Sequence, residues 1–288
     1  MGALSIIKRM MINCLKIVRI VIIPITIGMI TITLLCSSVS SKEETRFSTD
    51  VNMDEETLIA EIGVLIRNNM ATDSMDVNKN IIHFIDRIRD NAAMLAVADS
   101  LVDQVLYNPM SPMRNEEMYI MFLREFLRCD SFPDNLRLRE VENLRLVSQN
   151  RPGMIANDFR FIDRDGVTAT LHSLFTPEER SKLLLVFYDP DCSNCHNIIS
   201  SLATDSKINS DIDNGTLRVL AVYTEGNRDI WERTKDDMPM NWRVVYDLSG
   251  IVENDLYDLP SMPSLYRLSS TGRVELKDSS ILLESVCI

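Results

Sequence analysis

The sequence of 288 residues is poor in the residues that mark non-globular chains. Nine glycines and ten prolines are too few for a collagen-like or low-complexity protein. Six cysteines at this length are too few for a disulfide scaffold. Hydrophobic residues at 45% and charged residues at 25% match the globular average and exclude a mainly disordered chain. The length suggests about one to two domains.

Acidic residues are absent from the first 36 positions, which hold four of the 30 basic residues. The rest of the chain therefore carries 26 basic against 42 acidic residues, a formal charge of −16. Such an acidic body repels the phosphate backbone of nucleic acids. We expect no nucleic-acid partner.

The amino terminus has the pattern of an export signal. An uncharged apolar run, residues 20–35, follows four basic residues: Lys8, Arg9, Lys16 and Arg19. Cys36 ends the run where a bacterial lipoprotein would be cleaved and lipidated, although Leu35 stands where a small residue is usual. Cleavage after Ser40 and an uncleaved membrane anchor are the alternatives. In a bacterium, all three place the body outside the cytoplasm, and the lipoprotein and the anchor tether it to a membrane.

Three segments follow the predicted signal peptide or membrane anchor at residues 1–36. Residues 37–53 are rich in Ser, Glu and Thr and predict a linker. Residues 54–150 contain one glycine, and their apolar residues recur at helical spacing, which predicts four or five helices in a small all-α domain. Asn115, followed by two glutamates, predicts a helix start. His83 and Cys129 fall in apolar stretches, so we expect both in the core.

Residues 151–288 have a different pattern. Runs at residues 159–162 and 168–171 flank an Asp-Gly turn and predict a hairpin, and residues 264–268 and 273–276 predict a second one. Apolar runs at residues 183–188, 217–223 and 243–246 predict strands of a central sheet. Helical patterns lie between them, at residues 195–207, 228–236 and 251–257. Strands alternating with helices predict an α/β domain.

A C-x-x-C motif, Cys192 and Cys195, follows the buried strand directly. At the start of a helix, this spacing puts both sulfurs on one face, close enough to bridge. The unpaired amides of a helix N-terminus favour the thiolate form of Cys192. Cys192 is therefore the candidate nucleophile toward a substrate disulfide, and Cys195 the thiol that resolves the mixed disulfide. No metal or organic cofactor is needed, because the pair itself carries the electrons.

Residues 152–288 resemble thioredoxin-fold proteins of the TlpA-like branch, which occur in bacterial envelopes. The resemblance rests on the opening at residues 153–159, the Asp165-Gly166 turn, the strand leading into the motif, and the segment at residues 262–266. It implies a thioredoxin-like fold and thiol–disulfide oxidoreductase activity toward protein thiols and disulfides, with an unidentified redox partner that resets the pair. It also implies that Pro263 is a cis-proline and that a substrate peptide binds beside Met262 and Pro263 as an added strand.

Residues 108–119 are similar to a segment of an uncharacterised domain family. In anaerobic Gram-negative bacteria, that domain precedes a thioredoxin-like domain in exported lipoproteins. This second resemblance implies no activity. Our hypothesis is that residues 54–150 select the protein substrate.

The motif departs from the thioredoxin pattern at three places. Val186 stands where many thioredoxins carry an acidic or amide residue that moves protons to the buried cysteine. Asp191 replaces the common aromatic residue before the nucleophile, and its charge disfavours a neighbouring thiolate. The intervening Ser193-Asn194 lacks the usual proline, so the sequence does not predict the redox potential.

Three other interpretations compete with catalysis. With His196, the motif also reads as the attachment site of a c-type haem. Zinc needs four ligands, and the remaining candidates are scattered along the chain: His83, Cys129, His172 and Cys287. Finally, the pair can be a structural disulfide in a non-catalytic thioredoxin-fold binding module. Cys287 is left as either a free thiol or a link to another chain.

Overall fold

The structure is a computed structural model that describes residues 54–70 and 74–277. The predicted signal or anchor, the linker, Cys36 and Cys287 lie outside these residues. Among the residues that are described, no helix is both long and apolar enough to cross a membrane.

The described part of the helical half, residues 54–70 and 74–150, contains five α-helices, and a π-helical turn at Asp103–Tyr107 extends the third. Asp54, Asn91 and Asn115 each cap a helix by accepting a hydrogen bond from the backbone N–H three residues later. The start predicted at Asn115 is thereby confirmed. The helices are α1 (Glu55–Asn69), α2 (Ser74–Ile88), α3 (Ala92–Val102), α4 (Glu116–Arg128) and α5 (Asp134–Val147).

One apolar core holds the helical half together. Phe122 and Phe126 on α4 are fully buried, and Phe126 stacks on Phe132 with ring centroids 5.6 Å apart. Cys129 is buried in this core, as expected. His83 is exposed, so its predicted place in the core is wrong. It lies between Ile81 and Phe84, which are both in the core, but the helical turn of 100° per residue carries it past the buried face.

Two carboxylates, Asp99 and Glu140, are buried side by side between α3 and α5, at 2% and 0% exposure. Arg139 pairs with both, and its guanidinium lies 2.6 Å from Asp99 Oδ2. The Tyr119 hydroxyl donates a hydrogen bond to Glu140. Burial, reinforced by the charge of Glu140, outweighs Arg139 and raises the pKa of Asp99 to about 7.

The second half, residues 151–277, contains a mixed seven-stranded sheet in the order β2-β1-β5-β4-β3-β6-β7. Strands β3, β4 and β5 are parallel, and the other pairs are antiparallel. The strands are β1 (Arg160–Asp163), β2 (Thr168–Thr170), β3 (Lys182–Tyr188), β4 (Leu217–Tyr223), β5 (Arg243–Asp247), β6 (Ser264–Leu268) and β7 (Val274–Lys277). Both predicted hairpins and all three predicted strands are present.

Three α-helices belong to this half: α6 (Ser193–Thr204), α7 (Ser206–Asp213) and α8 (Arg228–Thr234). The helix predicted at residues 195–207 ends early, because Asp205 caps α7 by accepting a hydrogen bond from the Ile208 N–H at 2.8 Å. Side chains of β3 alternate between two apolar clusters, one shared with these helices and one with residues 156–161 and 251–257. Burial on both faces explains why residues 183–188 form a continuous apolar run.

The helix predicted at residues 251–257 is absent, and the segment is a series of turns. The Asp247 carboxylate accepts hydrogen bonds from the N–H groups of Ser249 and Ile251, which bends the chain locally. Asp255 has a φ of 48°, a left-handed conformation that ends any helical run. Local side-chain bonding therefore overrides the apolar spacing.

Asp99 gives the stability of the protein a pH dependence. Its pKa is higher in the folded than in the unfolded chain, so between about pH 4 and 7 the folded state binds more protons. Stability should therefore fall as pH rises through this window, with a contribution of up to about 1.4 kcal/mol per pH unit. We expect Asp99→Asn to remove this part of the slope in urea unfolding. Asp130→Asn, at an exposed position of the same half, should leave it intact, and equal slopes in all three proteins would contradict the assignment.

Candidate functional site

Cys192 caps helix α6, just beyond the end of β3. Its Sγ accepts a hydrogen bond from the Cys195 backbone N–H at 3.3 Å, and its own N–H donates to the Asp189 carbonyl at 3.2 Å. A sulfur in this position faces the positive end of the helix dipole. The C-x-x-C motif thus lies at the helix start that the sequence predicts.

The two cysteines are free thiols in different surroundings. Cys192 is half-buried, whereas Cys195 is fully buried in the apolar cluster that also contains Val186 and Leu265. Burial raises the pKa of the Cys195 thiol to about 12, and a hydrogen bond from the Asp189 backbone opposes this only in part. One sulfur is therefore accessible, and the other is a protonated thiol behind it.

Met262 and Pro263 lie directly beside the motif. The peptide bond between them is cis, as the resemblance implies. The Met262 carbonyl accepts hydrogen bonds from Cys192 Sγ at 3.5 Å and from Asn194 Nδ2 at 3.3 Å. The pairing of β3 with β6, which sets Phe187 opposite Ser264, brings these segments together across some 70 residues of sequence.

The contact of Asn194 with Met262 was not predicted. The position of Asn194 between the cysteines is visible in the sequence, but its partner lies 68 residues away. Only the strand register makes the two neighbours, so no local pattern could have identified the pair. Asn194 therefore joins the candidate site as a side chain that occupies a backbone acceptor next to Cys192.

The polar residues around the motif lie mainly toward solvent. Asp191 is exposed, and its N–H donates to the Asp189 carboxylate at 2.9 Å. His196 is also exposed, with Nε2 2.5 Å from the Pro190 carbonyl oxygen. Val186 is fully buried on β3 and brings no acid to Cys195, whereas the half-buried Asp189 is close enough for its charge to raise the pKa of Cys195.

The cysteine and histidine residues that are candidates for a zinc site lie apart from one another. Cys129 contacts the Glu125 carbonyl in the helical half, and His172 Nε2 lies 2.7 Å from the Ala156 carbonyl oxygen in the other half. Within residues 54–70 and 74–277, no group of three His, Cys, Asp or Glu side chains is arranged to hold a metal ion.

Residues 43–150 match a protein family described as a domain of unknown function, DUF5106. A search of curated proteins finds no match to this chain.

Three of the solved structures that are similar to this chain come from Bacteroides species. A thioredoxin-like protein from Bacteroides caccae is 25% identical, with a TM-score of 0.69, and the alignment covers 87% of this chain and 98% of that one. A conserved protein of unknown function from Bacteroides fragilis is 35% identical over 48% of this chain and 99% of that one, with a TM-score of 0.44. The thioredoxin domain of a thiol-disulfide oxidoreductase from Bacteroides vulgatus is 19% identical over 47% of this chain and 95% of that one, with a TM-score of 0.40. The predicted fold class, a thioredoxin-like sheet preceded by a helical region, is confirmed.

The difference between the two thiols predicts selective alkylation. In the reduced full chain at pH 8, we expect iodoacetamide to modify Cys192 and to leave Cys195 intact. Cys195 is buried, and with a pKa of about 12 only about one in ten thousand of its thiols is ionised at that pH. Peptide mapping by mass spectrometry measures both sites.

Urea provides the control, since unfolding should make Cys195 reactive. Cys192→Ser should not expose Cys195 in the folded protein. Labelling of both cysteines at similar rates under native conditions would contradict the assignment.

Proposed function

We propose that this protein, with its thioredoxin-like fold and DUF5106 region, is a thiol–disulfide oxidoreductase that exchanges disulfides with protein substrates. The main support is the asymmetry of its two thiols. Cys192 is accessible at a helix N-terminus, while Cys195 lies buried behind it, within reach of the first sulfur but not of solvent. A nucleophile and a resolving thiol require this arrangement.

The reaction takes two exchange steps. The Cys192 thiolate attacks one sulfur of the substrate disulfide, a mixed disulfide forms, and the other substrate sulfur leaves as a thiolate. Cys195 then loses its proton and attacks Cys192 Sγ, which releases the second substrate sulfur. Two electrons and the Cys195 proton pass from the enzyme to the substrate, the second substrate sulfur leaves as a thiolate that takes its proton from water, and a Cys192–Cys195 disulfide remains.

Proton transfer from Cys195 has no acidic helper on strand β3, because Val186 is apolar. We assign the proton to the first substrate thiolate that leaves, a base formed next to the motif in the same reaction. The negative charge of Asp189 opposes ionisation of Cys195, so this thiol should deprotonate only once the mixed disulfide is ready to accept its attack.

A substrate peptide would bind as a short strand beside the cis-proline. Its backbone N–H groups need an acceptor at this position, and the Met262 carbonyl is the group beside Cys192. Asn194 donates a hydrogen bond to this carbonyl. Binding therefore exchanges the Asn194 amide for a substrate amide, and Asn194 tunes affinity for peptides.

The cellular setting belongs to the proposal as well. The basic segment and apolar run at residues 1–36, with Cys36 as a lipidation candidate, support an exported protein tethered to a membrane of the cell envelope. Because each turnover leaves the pair oxidised, a separate thiol partner in that compartment must reduce it again.

Trapping of the mixed disulfide tests this function. With an oxidised protein substrate, we expect Cys195→Ser to accumulate a covalent complex through Cys192, because the resolving thiol is gone. Cys192→Ser should form none, and turnover should fall at least ~100-fold in both variants. Non-reducing gels and mass spectrometry measure the complex, and glutathione buffers should give a reversible two-electron potential that Cys192→Ser abolishes.

Cys129→Ala is the matched control, since this thiol is buried in the helical half and should not affect turnover. A pair that resists reduction until the protein unfolds would contradict the proposal. Such a result would favour the binding module with a structural disulfide.

Asn194→Ala tests the role of the Met262 carbonyl. If substrate and Asn194 compete for this acceptor, its loss should lower KM for a protein disulfide by about two- to tenfold, the value of one hydrogen bond. The rate with a small aromatic disulfide should change less than twofold. Asn197→Ala, the same substitution at an exposed position on α6, serves as control. An unchanged or higher KM would contradict the proposed competition between substrate and Asn194 for this carbonyl.

A further inference from the structure

A buried cluster of charges joins the helical half to the thioredoxin-like half, and the described residues of both belong to one compact unit. We name it the interface cluster; its members are Tyr107, Arg114, Glu116, Asp258 and Lys277. Side-chain exposure is 4% for Lys277, 3% for Asp258 and 14% for Glu116. Charges at this depth are costly unless each has a partner.

The contacts within the interface cluster pair its charges across the two halves. Lys277 Nζ lies 2.7 Å from Glu116 Oε2 and 3.1 Å from Asp258 Oδ2. The Tyr107 hydroxyl donates to Asp258 Oδ1 at 2.8 Å. Arg114 pairs with Glu116 and donates to the Tyr107 carbonyl at 2.8 Å. Two acids and two bases therefore neutralise one another.

Asp258 links the interface cluster to the candidate site. It begins the loop of residues 258–263 that ends at the cis-proline, so its position affects where Met262 lies. The Tyr266 hydroxyl donates to the Asp258 carbonyl at 2.8 Å, and Ser264 Oγ donates to the Ser261 carbonyl at 2.6 Å. Strand β6 holds one end of this loop, and the helical half holds the other.

The loop packs on the interface cluster with little free space. The cavity between them has a volume of about 10 Å³, and it is bordered by cluster residues together with Pro260, Ser261 and Ser264. A cavity of this size holds at most one water. Loosening of the interface cluster therefore changes the packing under the loop directly.

The segment at residues 108–119 supplies part of the interface cluster, and Tyr107 immediately precedes it. Asn115 fixes its course, since its N–H donates to the Leu106 carbonyl at 2.9 Å and its side chain caps α4. Arg114 and Glu116 are thereby held on either side of the cap. This segment is the one that resembles part of an uncharacterised domain family. Its contacts show that it supplies charged residues to the interface cluster.

We propose that the helical half positions the substrate-binding loop, and that Tyr107 and Glu116 do so through Asp258 and Lys277. This inference rests on the proposed function and deepens it. Exchange with protein disulfides, which need the loop, depends on the interface cluster. Reaction of Cys192 with small reagents, which need only the sulfur, does not. Tyr107 and Lys277 are thus positioning residues rather than catalytic ones.

The test uses the full chain, purified in detergent, with Tyr107→Phe as the mild variant and Lys277→Gln as the stronger one. With insulin as protein disulfide, we expect Tyr107→Phe to raise KM about five- to tenfold with kcat within twofold. Alkylation of Cys192 by iodoacetamide should stay within twofold of the parent rate. Arg145→Ala is the matched control, because Arg145 forms an exposed ion pair across the same halves, 2.7 Å from Asp255.

Deuterium uptake at residues 258–264 provides a readout that needs no turnover. Faster exchange there in Tyr107→Phe than in Arg145→Ala supports the inference, even if insulin is not a substrate of the parent protein. Failure of the parent to turn over would count against the proposed function alone.

Two results would overturn the inference. One is unchanged KM together with unchanged deuterium uptake in Tyr107→Phe. The other is an equal loss of insulin turnover and of Cys192 alkylation, which would indicate a general loosening of the fold. If Lys277→Gln does not fold, the milder Tyr107→Phe decides the outcome.

Discussion

The antiparallel pairing of β3 with β6 is the constraint on which the candidate site depends. It sets Phe187 opposite Ser264, so the loop after β3 and the loop before β6 meet at the same edge of the sheet. Cys192 and Met262 are neighbours for this reason alone. A slip of one residue in this register would turn every side chain of β6 to the opposite face and separate Cys192 from the cis-proline.

Burial then gives two chemically identical thiols different surroundings. The helix start leaves Cys192 at the surface, and the next turn carries Cys195 into the apolar cluster beneath it. The same cluster explains why Val186 is tolerated on β3, since an acid there would need a partner that the cluster does not offer. The protein thus keeps its second thiol protonated by exclusion of water.

The sequence was sufficient for most of the elements and for the position of the motif, because both depend on local patterns. A helix cap such as Asn115 and the apolar run of β3 can both be predicted from residues that are adjacent in the sequence. The turns at residues 251–257 were missed because Asp247 bonds backbone groups that the spacing assigned to a helix. The contacts of Asn194 with Met262, and of Tyr107 with Asp258, join residues 68 and 151 positions apart. No local pattern predicts such pairs.

The balanced charges between the two halves also restrict how this protein can diverge. Replacement of Lys277 alone leaves Glu116 and Asp258 without the cation that they share. Replacement of either acid leaves one positive charge in excess. A replacement at one of these positions therefore costs less when a second replacement restores the balance of charge. A helical half without Glu116 would leave Lys277 with one partner fewer, so the two halves fit one another through these charges.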